Sequence, residues 1–320
     1  MKYPIGIQTF DKIIDGGYVY VDKTDLIYQL VQGNIYFLGR PRRFGKSLLV
    51  STLEQYFRGN KELFKGLAID KLETEWKQYP VFHIDFSTGN YLNDGVLEDV
   101  LSGNLTEWEA QYEVVRTSND LGLRFQKVLR AAHEKTGLGA VVLIDEYDKP
   151  ILDVIELDYQ VEHLGKMISL EEKHRNIMKS FYATFKGADA DLRFVFLTGV
   201  TKFSQISMFS GFNQPADISL SRNYEALCGI TKDELVKYFA GPIAEIAQIY
   251  HCTEEEMLQK LKMKYDGYHF SEKMVDVFNP FSLLNAFYNM KLGGYWFKSG
   301  TPTSVSYTHL RAHETTLHLV

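Results

Sequence analysis

The residues best suited to chemistry lie in a short basic stretch, GRPRRFGKS, at positions 39–47. It ends in Gly45, Lys46 and Ser47, which match the last part of the phosphate-binding pattern G-x-x-x-x-G-K-[ST]. In that pattern backbone N–H groups and the lysine bind a phosphate chain, and the hydroxyl holds a magnesium ion. The first glycine falls on position 40, which is arginine here, and Gly39 lies one residue too early. Taken alone, the stretch could equally be a surface turn that caps a helix.

A second set of reactive side chains follows the apolar stretch VVLIDEYD at positions 141–148. Asp145 and Glu146 stand where the stretch ends. An aspartate at a strand end can order magnesium, and the adjacent glutamate can polarise a water for in-line attack on a γ-phosphate. A solvated acidic loop is the alternative when such a pair occurs singly. Because it follows the glycine–lysine–serine stretch in the order of the Walker A and Walker B motifs, we predict a site for ATP and Mg²⁺.

A third polar position lies in FVFLTGVTKFS, at positions 194–204. Thr198 ends its apolar part, and Thr201 and Lys202 follow. A polar residue at such a strand tip can sense a γ-phosphate, a role that Thr198 or Thr201 would fill. An ordinary strand followed by a glycine turn stays open as the alternative.

The elements that must position these residues alternate between short apolar runs and helical patterns. Strands are predicted over 34–39, 80–86, 140–145 and 192–199, and helices over 46–57, about 96–116, 121–135 and 169–186. Near-continuous apolar strands separated by helices predict a parallel sheet covered on both faces. The predicted fold is therefore an α/β P-loop NTPase three-layer sandwich with a mainly parallel sheet, followed by a helical subdomain.

The helical pattern takes over after about residue 225. Two capping boxes, each a threonine followed three residues later by a glutamate, open predicted helices over 231–251 and 253–265. A third helix, over 279–290, has a proline in its first turn. The aromatic run YDGYHF (265–270) is predicted to pack between this helical part and the sheet.

Composition narrows the classes of protein that the chain can belong to. It has 320 residues, 45% of them hydrophobic, with 20 Tyr and 21 Phe, which is typical of a packed globular protein. The net charge of −6 gives no general attraction to nucleic acid. Two distant cysteines indicate a reducing compartment, and no apolar run is long enough for a membrane span. We expect a cytoplasmic protein that contacts no membrane.

Together these motifs resemble a bacterial AAA-ATPase-like family whose members carry RPRRFGKS in place of the standard phosphate-binding loop. The similarity runs from about residue 1 to 303 and includes PIGIQTFDKIIDGGYVYVDKT, VVLIDEYDKPI, LTGVTKFS, YEALCGIT and YDGYHFSEKMVDVFNPFSLLNAF. It implies ATP binding, and it implies that Arg40 belongs to the family pattern. By the same resemblance YVDKT (20–24) would border the adenine.

The predicted site combines these stretches. We expect nucleotide contacts from the loop and the start of its helix: Arg40, Arg43, Phe44, Gly45, Lys46, Ser47 and Leu48. Catalytic roles fall to Glu146, Lys46 and Thr198, and magnesium binding to Ser47 and Asp145. His83 and Asp85 alternate along one strand and so share a face, where we expect them to line the sheet surface or a cleft wall.

The predicted function is magnesium-dependent ATP binding with slow hydrolysis that drives a conformational switch, which would make the protein an ATPase. The alternative is a nucleotide-gated scaffold, or the regulatory half of a nuclease-like system, that binds ATP with little turnover. ATP is the expected partner, and a homo-oligomer and a contact with nucleic acid stay open.

Three segments are predicted along the chain: an α/β ATPase domain with an N-terminal lead-in over 1–225, a helical subdomain over 226–303, and a tail over 304–320. Relatives in the resembled family usually continue into a domain similar to PD-(D/E)XK nucleases, and we expect this chain to stop short of it. The tail, SVSYTHLRAHETTLHLV, resembles the translation of a transposase sequencing adapter. We therefore expect a truncated chain with a non-native end.

Overall fold

The structure, a computed structural model, describes residues 1–200, 215–266, 268, 270 and 275–296. They form two compact units. The sheet unit comprises Ile27–Gly39 and Val50–Ile218, and the helical unit comprises Met1–Leu26, Arg40–Leu49 and the described residues from Ser219 onward. Thr201, Lys202 and the tail over 304–320 lie outside the described residues, so the predictions made for them stay predictions.

The strands and helices of the described residues have the following bounds. The strands are β1 (Ile35–Gly39), β2 (Val81–Asp85), β3 (Ala140–Asp145), β4 (Gln160–His163), β5 (Lys166–Ser169), β6 (Leu192–Gly199), β7 (Ala216–Asp217), β8 (Ile230–Thr231) and β9 (Val277–Phe278). The helices are α1 (Phe10–Asp15), α2 (Thr24–Leu30), α3 (Lys46–Phe57), α4 (Val96–Gln111), α5 (Leu121–Thr136), α6 (Lys149–Leu152), α7 (Leu170–Gly187), α8 (Lys232–Ile249), α9 (Glu254–Tyr265) and α10 (Pro280–Asn289).

The sheet unit contains a five-stranded parallel sheet in the order β2-β3-β6-β1-β7. Its central strands are mainly apolar, as is typical of a parallel sheet that is covered on both faces, and all six residues of β3 are buried. Since the strands run parallel, the carboxyl ends of β1, β3 and β6 lie at one edge. The predicted α/β fold with a parallel sheet is confirmed.

Helices α4, α5 and α7 pack with the sheet around an aromatic core. The rings of Phe125 and Phe181 stack with centroids 5.1 Å apart, and Phe82 meets Trp108 edge to face at 5.0 Å. Helix α5 begins where the carboxylate of Asp120 accepts the Leu123 N–H, as an N-cap does. These contacts fix the layer that supports the strand tips.

The helical unit has a core formed by α8, α9 and α10 with the short antiparallel pair β8–β9. Both predicted capping boxes are present, at the starts of α8 and α9. The first residues of the chain pack here as well, since the ring of Tyr3 stacks on Phe287 at 6.4 Å and Val19 and Val21 border the same core. The segment interpreted as a lead-in to the α/β domain thus contributes apolar side chains to the helical unit.

The described part of the chain includes no helix that is both long enough and apolar enough to cross a membrane.

Candidate functional site

The phosphate-binding loop connects the last residue of β1, Gly39, to the first residue of α3, Lys46. Two of its residues have left-handed backbone conformations, Arg43 with φ 67° and Gly45 with φ 89°. A Cβ added at Gly45 would meet no atom within 4 Å, so the backbone conformation, and not a lack of space, favours glycine there. The strand, the loop and the helix follow one another as the motif requires.

Lys46 folds back over the loop that precedes it. Its Nζ donates to the carbonyl oxygens of Arg40 (3.0 Å) and Pro41 (3.1 Å), and the residue is buried. Ser47 is the second residue of α3, in the first turn, where the N–H groups have no partner within the helix and favour an anion. A phosphate oxygen accepts a stronger, charge-assisted bond from an ammonium group than a carbonyl does. The prediction that Lys46 contacts the nucleotide stays a prediction, and these two carbonyls are the acceptors that a phosphate would replace.

Arg40 occupies the first-glycine position, and its side chain is only 1% exposed. Its guanidinium donates to the carbonyl oxygens of Ser219 and, at 3.2 Å, of Tyr224. The guanidinium carbon also lies 3.9 Å from the ring centroid of Phe270. These contacts hold the side chain on the helical unit, and the prediction that Arg40 contacts the nucleotide stays a prediction.

The neighbouring loop residues Arg43 and Phe44 also contact aromatic side chains. The Phe44 ring is buried, with its centroid 4.7 Å from that of Tyr268 and 5.5 Å from that of Phe270. The guanidinium carbon of Arg43 lies 4.0 Å from the Phe281 ring centroid. Two rings of the YDGYHF run, which was predicted to pack between the helical part and the sheet, contact the loop residues Arg40 and Phe44.

The strand tips of the sheet unit hold Asp145 in one orientation. The buried hydroxyl of Thr198 donates to Oδ1 of Asp145, and the Glu146 N–H donates to the same oxygen at 3.0 Å. The Tyr147 N–H donates to the Thr198 carbonyl at 2.9 Å, which joins the ends of β3 and β6. A Cβ at Gly199 would lie 2.4 Å from the Tyr147 ring, so this junction requires glycine. The structure thus brings together two of the predicted site residues, Thr198 and Asp145.

Glu146 has a left-handed backbone conformation, with φ 51°. For a residue with a side chain this conformation costs on the order of 1 kcal/mol or more. The side chain is half-buried, whereas that of the nearby Asp148 is 2% exposed and accepts the Val200 N–H at 2.8 Å. Of these two carboxylates, Glu146 is the more accessible one.

A polar network connects α3 to the edge strand β2. The Nδ1 of His83 lies 3.0 Å from Oε2 of Glu54, whose other oxygen lies 2.7 Å from the Arg58 guanidinium. Burial disfavours the charged imidazole, but the hydrogen bond and the charge of Glu54 outweigh it and raise the pKa of His83. Burial would also raise the pKa of Glu54, yet the bonds from His83 and Arg58 prevail and lower it. The network therefore favours the ionised pair.

The N-terminal YVDKT segment is held by its own ion pair. The Lys23 ammonium donates to both carboxylate oxygens of Glu234 at 2.5 Å, and burial lowers the pKa of Lys23 even though Glu234 opposes this. Asp22 accepts from the N–H of Thr24 at 2.9 Å and from its hydroxyl at 2.6 Å. The prediction that this segment borders the adenine stays a prediction.

Sequence reasoning missed the aromatic residues Phe281 and Trp296 as neighbours of the loop. The indole N–H of Trp296 donates to the Arg42 carbonyl at 3.3 Å, across 254 residues of sequence. No local pattern indicates such a distant pair. The one available signal was the composition of the loop. Its three arginines and its phenylalanine have large side chains that need contacts elsewhere in the chain, which a glycine-rich loop does not.

The donor set at the predicted metal site consists of hard oxygens. Ser47 supplies a hydroxyl and Asp145 a carboxylate, and Mg²⁺ is typically held by one or two such protein oxygens together with substrate phosphates and water. Within the described residues no group of three or more His, Cys, Asp and Glu side chains is arranged to hold a metal ion. Both oxygen types are donors that Mg²⁺ takes, and the prediction that Ser47 and Asp145 bind it stays a prediction.

Comparison with known proteins agrees with this geometry. A family model described as "Predicted AAA-ATPase" matches residues 4–209. The chain is also 38% identical over 304 residues to a protein of Azotobacter chroococcum mcd 1 named "Uncharacterized protein in vnfD 5'region". The match covers 94% of this chain and 55% of that protein's length. No solved structure matches. The chain belongs to the family of predicted AAA-ATPases.

Proposed function

We propose that the protein binds magnesium–ATP and hydrolyses it slowly. One observation carries this proposal: strand β6 lies between β1 and β3, with Thr198 bonded to Asp145 at its tip, while β1 leads directly into the phosphate-binding loop. Family membership, which suggests nucleotide binding, supports it.

The phosphate chain would be bound by the loop and the first turn of α3. The backbone N–H groups of Phe44, Gly45 and Leu48 are candidates for phosphate contacts, because a helix N-terminus and the loop before it attract anions. Lys46 would release its two carbonyl partners and pair with the β- and γ-phosphates. Arg40 and Arg43, which belong to the loop, would contribute positive charge that attracts the phosphates.

Magnesium would be held by Ser47 and Asp145, and when bound it would neutralise charge on the phosphates. Asp145 suits this role because Thr198 and the Glu146 N–H both bond its Oδ1, which fixes the plane of the carboxylate. An oriented carboxylate loses little conformational freedom when it binds a cation.

Glu146 would act as the general base that takes a proton from the attacking water. Its left-handed backbone conformation supports this role, since strained residues often lie at functional sites. Thr198 would sense the γ-phosphate, because its hydroxyl already contacts the metal-binding carboxylate. Hydrolysis would then drive a conformational switch of the helical unit.

Release of phosphate over many turnovers tests the proposal. We expect slow, magnesium-dependent phosphate release by the intact chain, which is lost on addition of a chelator and in a Glu146→Gln variant. ATP binding without any multiple-turnover release would instead support the nucleotide-gated scaffold. The same assay with and without DNA or RNA would show whether nucleic acid stimulates turnover.

We propose the cytoplasm as the compartment, which Cys228 and Cys252 support because no disulfide joins them. ATP is the proposed partner, and light scattering with and without nucleotide would test for a homo-oligomer. The chain spans 55% of the length of its relative from Azotobacter chroococcum. Any activity of a protein of that full length is therefore only proposed.

A further inference from the structure

We propose that four aromatic residues of the helical unit, Tyr268, Phe270, Phe281 and Trp296, hold the phosphate-binding loop in the conformation that binds phosphate. We call them the aromatic clamp. They are positioning residues that act through the loop, with Arg40 as their main anchor. The inference rests on the proposed function, and it adds to that function the residues that make a loop without its first glycine able to work.

Arg40 holds the start of the loop. A buried guanidinium that donates to the Ser219 and Tyr224 carbonyls and lies 3.9 Å from the Phe270 ring centroid is fixed on several sides. A cation over an aromatic face is more strongly attracted when both are withdrawn from water, as they are here. The arginine at the first-glycine position thus fastens the start of the loop to the clamp.

Phe44 fastens the other end of the loop. Its ring meets both Tyr268 and Phe270 edge to face, and the residue is 1% exposed. Gly229 borders the same ring: a Cβ added there would lie 3.4 Å from Phe44 and 2.2 Å from Val277. Val277 thus leaves no room for a side chain at position 229, beside the Phe44 ring.

The middle of the loop makes the third set of contacts. Arg43, whose left-handed backbone is costly for a residue with a side chain, lies over the ring of Phe281. The Trp296 indole donates to the Arg42 carbonyl. These contacts offset the backbone strain of the turn.

The clamp also affects the position of Lys46, through the loop backbone. Its ammonium bonds the carbonyls of Arg40 and Pro41, so the clamp, by fixing Arg40, fixes the groups that aim the lysine. A loop that is free to adopt other conformations would bind phosphate only in the fraction of molecules that have the competent one, and the apparent affinity falls by that fraction.

The test compares Phe270→Leu with a matched control, Phe287→Leu. Both change a buried phenylalanine of the helical unit, but Phe287 stacks on Phe239 and Tyr3 and belongs to the helical core. Phe281→Leu, at a half-buried ring, is the milder second variant, and Phe270→Tyr keeps the ring face and should restore the wild-type behaviour.

Two measurements are made on the full chain: hydrogen exchange of the loop amides without nucleotide, and the Kd of magnesium–ATP. We expect faster exchange confined to the loop in Phe270→Leu and Phe281→Leu, with a Kd weakened about 2- to 30-fold, the range that corresponds to one lost cation–π contact. Phe287→Leu and Phe270→Tyr should change neither quantity.

Unchanged loop exchange in both leucine variants would overturn the inference, and so would faster exchange with an unchanged Kd. If the wild-type chain fails to bind ATP, the proposed function is wrong and the role of the clamp in phosphate binding is wrong with it. The exchange measurement then still decides, on its own, whether the clamp holds the loop.

Discussion

Lys46 is the residue on which nucleotide binding would depend most directly, because its ammonium is buried and bonded to the two carbonyls that a phosphate would replace. We expect Lys46→Ala to abolish binding of magnesium–ATP in isothermal titration while leaving the circular dichroism spectrum unchanged. Lys61→Ala, at an exposed position, is the control and should bind like the wild type. Unchanged affinity in a folded Lys46→Ala variant would refute the assignment of this loop.

Glu146 separates binding from turnover. Glu146→Gln should keep ATP bound but lower the rate of phosphate release by roughly 10²–10⁴-fold, because an amide cannot accept the proton of the attacking water. The exposed Glu134→Gln serves as the control. Asp145→Ala should behave differently and weaken the magnesium dependence of binding as well as the rate. If Glu146→Gln turns over at the wild-type rate, another group must be the base.

His83 makes stability depend on pH. Its pKa is raised above the ordinary value of 6.5, so its contribution to the free energy of unfolding is fully present below about that pH and is lost as the pH rises through the folded-state pKa. We expect urea unfolding to show that His83→Gln costs stability at mildly acidic pH, on the order of 1 kcal/mol, and less in the alkaline range. The exposed His251→Gln is the control for replacing a histidine outside this network. An equal loss at both pH values would argue against the ion pair with Glu54.

At the scale of elements, a glycine at a close approach and a glycine on an open helix face should respond oppositely to the same substitution. Gly229 has φ 97° and no room for a Cβ, whereas Gly103 is exposed in α4 with no atom within 4 Å of an added Cβ. Gly103→Ala should stabilise the chain by about 0.5–1 kcal/mol. Gly229→Ala should destabilise it by more than that gain, and urea unfolding measures both. A neutral Gly229→Ala would mean that β8 and β9 pack less closely.

The element boundaries show which signals a sequence carries. Strands β3 and β6 and helix α3 have the predicted ends, because an unbroken apolar run or an amphipathic repeat marks each of them. The hairpin β4–β5 and the short helices α1 and α2 were not predicted, since elements of four to seven residues are too short for a clear apolar run or amphipathic repeat. The strand tips could be predicted because parallel strands end at a common edge.

At the scale of the whole molecule, ligand binding should raise the melting temperature, because a ligand that binds only the folded state stabilises it by mass action. Magnesium–ATP at 100 times its Kd corresponds to about 2.7 kcal/mol. A thermal shift assay should show this rise in the wild type and none in Lys46→Ala. A rise of equal size in Lys46→Ala would mean that the nucleotide binds elsewhere on the chain.

The composition of the two units could not be predicted from the sequence. Residues 1–26 and 40–49 are grouped with the described residues from 219 onward through contacts such as that of Lys23 with Glu234, which are 211 residues apart. Local patterns state which residues will be buried, but they do not state which distant residues will cover them. The partners of the loop arginines, and so the aromatic clamp, emerge only from the folded chain.

The left-handed backbone at Glu146 has a consequence for how this protein can be engineered. At φ 51° glycine is favoured over any residue with a Cβ, so Glu146→Gly should be more stable than Glu146→Ala by about 1 kcal/mol although both lack the carboxylate. A redesign guided by stability alone would therefore favour glycine at this position and erase the group proposed as the base. Stability cannot be gained at this position without losing the carboxylate, because the residue with the unfavourable backbone conformation is also the proposed base.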